Sequence, residues 1–524
     1  MAMKEIVLGD EALALGAVHA GISAAFAYPG TPSTEITEFL IKNKEKFGIH
    51  AEWCSNEKTA FEAALGVSFA GKRAIVSMKH VGLNVAMDAF VNAAISGIKG
   101  GLVVAVADDP GMHSSQNEQD SRYLAEFAKI FSFEPCNAQE AYDMALQAFD
   151  LSEKLGIPVL IRLVTRLSHV RESIETGKQR EQNALDTEMR LKEWVLLPGN
   201  ARNQFNRLLE KQPLLLKESE KSEFNESKNG KGKKCVVCAG NAFNYFMEAA
   251  GGSLPYFKIS TYPLPENKIR KFCSPFKEIL VLEEGYPYIE EKMLSIVRCR
   301  ERKILGKMSG HIPMAGELTP ESVKKALGIK IVQPIKVKIS LAQRPPQFCA
   351  GCPHGDLYRA LNEAKGQGKI MVFGDIGCYT LGALPPFSAI GSCICMGSSV
   401  NLARGASIAG AGPAVGIIGD STFVHGGMPA LVEAAKHNSN MKLLILDNST
   451  VAMTGGQETM VKGDAMLELI AGLGVPREHI KIIEPLPARH EENVRILKEE
   501  LAHEGVSVII SRRLCIQSLK KGFR

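Results

Sequence analysis

Residues Gly419–Gln457 read GDSTFVHGGMPALVEAAKHNSNMKLLILDNSTVAMTGGQ, and the alternation inside this stretch decides the fold. The apolar run Ala414–Asp420 (AVGIIGD) reads as a buried strand. A turn, a helix expected over Gly427–His437, a second strand over Lys442–Asp447 and a polar loop follow it. A strand–helix–strand unit of this length sets its strands parallel, with both carboxyl ends on one sheet edge, where α/β proteins place ligands. Asp420 and Asn448 therefore arrive side by side. One carboxylate, one amide oxygen and a nearby backbone carbonyl suit a Mg²⁺ ion that keeps its other positions for phosphate oxygens and water. A helix-capping Asp with an unrelated loop Asn is the plain alternative. The strand–helix–strand setting and the continuation TGGQ weigh against it.

Outward from this segment, 524 residues exceed one ordinary core, and about three domains are expected. A hydrophobic fraction of 45% with 23% charged residues describes an ordinary globular chain. The net charge of +5 comes without a basic stripe interleaved with aromatics, which argues against nucleic-acid binding. No apolar run approaches the roughly eighteen residues a membrane span needs, and MAMKEIVLGDEAL carries no signal-peptide core. A cytoplasmic location without membrane association is expected. Twelve cysteines in such a chain point to thiols or to metal or cluster ligation rather than disulfides.

Strands of a parallel sheet are expected in AAFAY, KRAIVSM, GGLVVAVAD and GIPVLIRLV of the first block. The run Lys217–Lys234 (KESEKSEFNESKNGKGKK) reads as a solvated linker. CVVCAG, YFKIST, EILVLEEG and IKIVQPIKVKI are expected strands of a second block, and KIMVFGDIG, AVGIIGD, KLLILDN and VSVIISRR of a third. The fold class is α/β and multi-domain, with parallel sheets flanked by helices. The boundaries fall at 1–185, a linker at 186–234, then 235–340 and 341–524.

Several strand exits carry polar residues a plain core would not need. In AAFAYPGTPSTEITEFL, Thr31 is expected as a helix N-cap with Pro32 at the first helical position, a start that attracts anions and suits the carboxylate of a small acid. Glu57 opens a helix with an apolar face of Ala60, Phe61, Ala64 and Leu65, where a carboxylate also complements the helix dipole. Lys79 and His80 follow the strand AIVSM and offer acid/base work or phosphate binding. Arg122, in DDPGMHSSQNEQDSR, could clamp a carboxylate bidentately. Solvated loop residues are the plain reading of each.

The third block opens with FCAGCPHG, carrying Cys349, Cys352 and His354, while Cys378 and Cys515 lie at strand edges. Four thiolates could hold a [4Fe–4S] cluster, with zinc or four reduced thiols as alternatives. Cys235 and Cys238 fall within one strand, three apart, and read as core thiols facing opposite ways. Cys393 and Cys395 share one side and read as packed residues rather than ligands.

Together these stretches resemble the 2-oxoacid:ferredoxin oxidoreductases, most closely the large (alpha) subunit of indolepyruvate ferredoxin oxidoreductase. AYPGTPSTEI, MKHVGLNVAMDAF, DDPGMHSSQNEQDSR, FCAGCPHGDLYRAL, GDIGCYTLG, GDSTFVHGG and DNSTVAMTGGQ carry the likeness in the family's order, over nearly the whole chain. The cassette itself looks like the thiamine-diphosphate motif. The resemblance implies a pyrimidine-binding domain, a middle domain like the transketolase C-terminal domain and a diphosphate-binding domain, the thiamine-diphosphate fold. Implied with it are Mg²⁺ on Asp420, Asn448 and Thr450, and cofactor contacts from Gly419, Asp420, Ser421, Asn448, Thr450 and Gly455. Glu57 becomes the activating carboxylate, with Lys79 and His354 in the catalytic set. Thr31, Arg122 and His80 lie near the substrate, and Cys349, Cys352, Cys378 and Cys515 hold the cluster.

The activity implied is oxidative decarboxylation of an aryl 2-oxoacid to acyl-CoA, with electrons passing through the cluster to ferredoxin and coenzyme A as co-substrate. A small 2-oxoacid oxidoreductase subunit of beta/gamma type is the implied partner, in a dimer of heterodimers. Large subunits of this type continue into a ferredoxin-like domain with two CxxCxxC runs. Here KKGFR follows soon after Cys515, so the relay is expected from ferredoxin or a ferredoxin-like subunit. The competing readings are a non-redox thiamine-diphosphate decarboxylase releasing an aldehyde, and a subunit that keeps the fold without the chemistry.

Overall fold

The computed structural model describes residues 3–297, 302–331 and 346–520. The chain forms two compact units, Met1–Lys336 and Val337–Arg524. Both are α/β, with largely parallel sheets flanked by helices, as expected.

The first unit holds a seven-stranded sheet. Its order is Thr261–Tyr262, Phe131–Phe133, Val159–Val164, Leu102–Asp108, Ala74–Lys79, Ala24–Ala27 and His50–Trp53. All neighbours run parallel except Thr261–Tyr262, which pairs antiparallel with Phe131–Phe133. The central strand Leu102–Asp108 is buried along its length, which is why its sequence shows a continuous apolar run and no alternation. Burying each such Val or Leu contributes on the order of 1.5–3 kcal/mol. The four strands expected in the first block are present; the short His50–Trp53 and Phe131–Phe133 were not foreseen.

A second sheet in the same unit runs Lys303–Leu305, Glu278–Leu282, Lys234–Ala239, Tyr256–Ile259 and Glu226–Lys228. Cys235 and Cys238 are fully buried on its two faces, in separate apolar clusters, as their spacing predicted. The expected strand IKIVQPIKVKI lies largely outside the described residues. The run Lys217–Lys234, read as a linker, needs correction: it holds the last turn of the helix Pro198–Lys221 and the edge strand Glu226–Lys228. That helix buries Gln204, Leu208, Leu215 and Ser219, a stripe at helical spacing that an internal Pro213 obscures in the sequence.

In the second unit five parallel strands run Val372–Gly374, Ala414–Gly419, Met441–Asp447, Ser507–Arg512 and Ile480–Ile483. The helix expected over Gly427–His437 begins earlier than predicted. Helical backbone starts at Asp420, passes through a π-turn at Phe423–Gly427 and continues as Met428–Lys436. Such a bulge sits often beside a functional residue. No helix among the described residues is long and apolar enough to cross a membrane.

Candidate functional site

In the second unit the strand Ala414–Gly419 delivers Asp420 and the strand Met441–Asp447 delivers Asn448 to the same edge. The Ser449 amide donates to Asp420 Oδ2 at 2.8 Å, and the Ser421 amide to Oδ1 at 2.7 Å. Ser449 takes φ +59°, which turns the chain so that the Thr450 amide donates to Asn448 Oδ1 at 3.1 Å. Asp420 is buried, and burial reinforced by the neighbouring Asp447 raises its carboxyl to about 7. A desolvated carboxylate beside a second acid is a site that a cation relieves. Gly419 is held to glycine by Tyr379, whose ring carbon would stand 2.7 Å from an added Cβ. Gly455 (φ +131°) and Gly456 (φ +102°) turn the loop that follows, in backbone conformations other residues resist.

Beside this edge lies a cavity of about 140 Å³. Cys349, Cys352, Cys378 and Cys515 all line it, together with His354 and Asn448. Three distant segments meet there. The Cys352 amide closes a turn on the Cys349 carbonyl at 3.0 Å, and the Cys515 amide donates to the Asn448 carbonyl at 3.3 Å. Gln517 Nε2 donates to Cys349 Sγ at 3.3 Å. Burial and the neighbouring cysteines raise the Cys378 thiol to about 11 and push Cys352 up as well. Among the described residues no three His, Cys, Asp or Glu side chains close on one point to hold a metal ion. The four sulfurs share one chamber. His354 is buried edge-on to Tyr379, and desolvation lowers its imidazole to about 4, leaving it neutral near pH 7. Cys393 rests against the Asp375 carbonyl at 3.7 Å, while Cys395 is exposed.

The first unit gathers a second set at the carboxyl edge of its seven-stranded sheet. Glu57 begins the helix Glu57–Phe69, capped by Asn56, and is 6% exposed. Its carboxylate lies against Gly82 in the helix His80–Ser96; a Cβ there would stand 2.5 Å from Glu57 Oε1. Lys79 Nζ donates to the carbonyl and hydroxyl of Ser114, both at 3.1 Å, and Ser114 Oγ donates to the Thr31 carbonyl at 3.2 Å. His80 Nε2 contacts Asn117 Oδ1 at 3.2 Å. Thr31, Lys79 and His80 are thus drawn together by the loop after Asp108, which Asp109 ties down through Ser114, Ser115 and Thr165. Desolvation lowers the Lys79 ammonium to about 8.

Two sequence readings are corrected here. Thr31 is not the N-cap: the helix spans Thr34–Phe47 with Ser33 before it, and Ser33 Oγ donates to the Gly30 carbonyl at 2.7 Å. Arg122 is not free to clamp a substrate. It is 1% exposed, and its N–H groups go to Asp120, Glu283, Tyr262 and the carbonyls of Glu284 and Tyr286. That cage is a structural tie between the two sheets of the first unit. Sequence reasoning missed Gly82, Ser114, Asn117 and Asp375. Asp375 alone left a signal, a second Gly-Asp after a strand; its carboxylate anchors the amides of Gly397 and Ser399.

Residues 15–203 match the family model described as pyruvate flavodoxin/ferredoxin oxidoreductase, thiamine diP-binding, and 375–511 match the thiamine pyrophosphate enzyme C-terminal TPP-binding domain. The indolepyruvate oxidoreductase subunit IorA of Archaeoglobus fulgidus is 38% identical, over 98% of this chain and 86% of that one. The protein of the same description from Methanothermobacter marburgensis is 37% identical, over 98% and 87%. Among solved structures, a 2-oxoglutarate:ferredoxin oxidoreductase from Magnetococcus marinus shares the fold over 62% of this chain and 65% of its own, with a TM-score of 0.51 and 16% identity.

Proposed function

The chain belongs to the family of indolepyruvate oxidoreductase subunit IorA, and on that premise we propose that it carries out thiamine-diphosphate-dependent oxidative decarboxylation of an aryl 2-oxoacid to its acyl-CoA, with electrons leaving through a [4Fe–4S] cluster to ferredoxin. One observation carries the reading: the Ser449 amide on the Asp420 carboxylate brings Asp420, Asn448 and Thr450 to one strand edge. Asp420, the Asn448 side chain and the Thr450 carbonyl would hold Mg²⁺, with the amides of the same turn facing the diphosphate. The bound cofactor supplies the carbon nucleophile and the electron sink of the decarboxylation.

The protein's own groups do the rest. Glu57, packed into the space Gly82 leaves, would hold a proton for the cofactor's ring. Lys79, Thr31 and His80 orient the acid, and the Ser114 loop over them excludes water. His354, buried edge-on to Tyr379, stays neutral near pH 7. Cys349, Cys352, Cys378 and Cys515, which line one cavity with Asn448, would hold the cluster and supply the one-electron relay. The pyrimidine-binding domain is assigned to 1–185, the transketolase-like domain to 235–340 and the diphosphate-binding domain to 341–524. A small partner subunit completes the enzyme in a dimer of heterodimers.

The test uses the chain purified anaerobically with its partner subunits. Calorimetry should show Mg²⁺-dependent thiamine diphosphate binding, weakened at least about tenfold in Asp420→Asn. Glu57→Gln should bind the cofactor and lose roughly a thousandfold in turnover. Retained turnover in Glu57→Gln overturns its role, and binding indifferent to Mg²⁺ overturns the site. Aldehyde in place of acyl-CoA would identify the non-redox decarboxylase.

A further inference from the structure

Where the strands Ala74–Lys79 and Leu102–Asp108 end, two polar atoms face burial without partners. Lys79 pairs in register with Ala107, so Asp108, the last residue of its strand, and His80, the first residue of the helix that follows Lys79, come next at the same sheet edge. Both are 0% exposed. His80 Nδ1 and Asp108 Oδ1 each lack a hydrogen-bond partner. The two groups are near enough for a charge on His80 to steady the Asp108 carboxylate, and no direct hydrogen bond joins them. One is a potential donor and the other an acceptor, and buried polar atoms of this kind are seldom left unmade.

The other oxygen of Asp108 is fully engaged. Oδ2 accepts from Arg162 Nε at 2.6 Å, from the Ser121 amide at 3.1 Å and from Ser121 Oγ at 3.2 Å. Asp108 is therefore fixed in place with Oδ1 left over for His80. On the far side of the ring, Nε2 meets the Asn117 side chain in the loop that also positions Ser114 against Lys79 and Thr31.

We propose that Asp108 is a positioning residue that holds the Nδ1 proton of His80, directly or across one buried water, and so turns Nε2 toward the substrate side. The assignment rests on the reading of this edge as the substrate site. With Nδ1 protonated, Nε2 donates to the Asn117 oxygen as the imidazolium, or accepts from the Asn117 amide turned over at the loss of the bond that Gln119 Nε2 donates to that oxygen. In the imidazolium both ring nitrogens are then satisfied and the Gln119 bond is kept. The Nε2–H tautomer instead sets a lone pair against a buried carboxylate, which no group nearby relieves. A histidine whose second nitrogen is fixed by a carboxylate presents one defined atom to a ligand.

The experiment is nitrogen NMR of the full chain labelled at histidine, with His80→Gln identifying the His80 signals by their loss. Nδ1 is expected to carry the proton, whether the ring is neutral or charged. A ring whose Nδ1 is unprotonated overturns the proposal. Asp108→Asn should transfer the proton to Nε2, because Arg162 claims the amide oxygen and leaves the NH₂ facing His80. Its kcat/KM, measured with the partner subunits present, should fall about ten- to a hundredfold, the worth of one charged hydrogen bond. An unchanged tautomer in Asp108→Asn also overturns it, and if that variant fails to fold, the wild-type spectrum decides alone. The tautomer does not depend on the cofactor, so failure of the thiamine assignment leaves this measurement standing.

Discussion

Lys79 is a cation that burial has half undone, and its sequence gave no hint of that. It lies at the end of a buried strand, where desolvation lowers it from the ordinary 10.5 to about 8, with Asp109 resisting the change. In the unfolded chain it holds its proton across that interval, while the folded chain gives it up. Between about pH 8 and 10.5 the unfolded state therefore binds more protons, and folding should gain stability as pH rises. Below about 8 the burial cost stands in full. Denaturation of wild type and Lys79→Met across this range should show wild type gaining on the variant with rising pH; a flat or opposite difference would refute the assignment. Arg122 shows the converse failure of sequence reading. Its string of polar neighbours looked like a ligand loop, but its partners Glu283 and Glu284 follow a strand of the other sheet, beyond the reach of any local pattern.

Elements with continuous apolar runs were legible, because a strand buried on both faces can be little else: Val103–Ala107, Ile417–Ile418 and Leu443–Leu446 all lie fully inside. Short strands such as Phe131–Phe133 offered too few residues for any period to register. The meeting of Asp420 with Asn448 was legible for the same reason as the strands that carry them. The thiol chamber was legible as a set of four cysteines at a turn and at strand edges, but not from any local spacing. Only Cys349 and Cys352 share a local spacing; Cys378 arrives on a 3₁₀ turn after one strand, and Cys515 after another. If those three segments converge to hold a cluster, Cys352→Ser should remove the brown visible absorption of anaerobically purified enzyme and reduce its iron and sulfide content together. Full colour in the variant would discard the assignment.

At the scale of the whole chain, the first unit is braced by charge as much as by apolar packing. Arg122 and Arg162 are enclosed by Asp108, Asp120, Glu134 and Glu283, drawn from both of its sheets. Removing one partner from such a network leaves the others charged and dry. Arg122→Leu should cost about 3–5 kcal/mol. The chain's two tryptophans, Trp53 and Trp194, both belong to this unit, so their fluorescence follows its unfolding by denaturant without interference from the second. A loss below about 1 kcal/mol would contradict the bracing role.

The small strand Thr261–Tyr262 binds the unit in another way. It follows directly on Tyr256–Ile259 of one sheet and then pairs along the rim of the other. Genes for such units are open to fission and recombination wherever a join can be cut cleanly. Here a break near residue 234 would strip a strand from one product and hand it to the other. The first product would then lack the rim strand of its seven-stranded sheet.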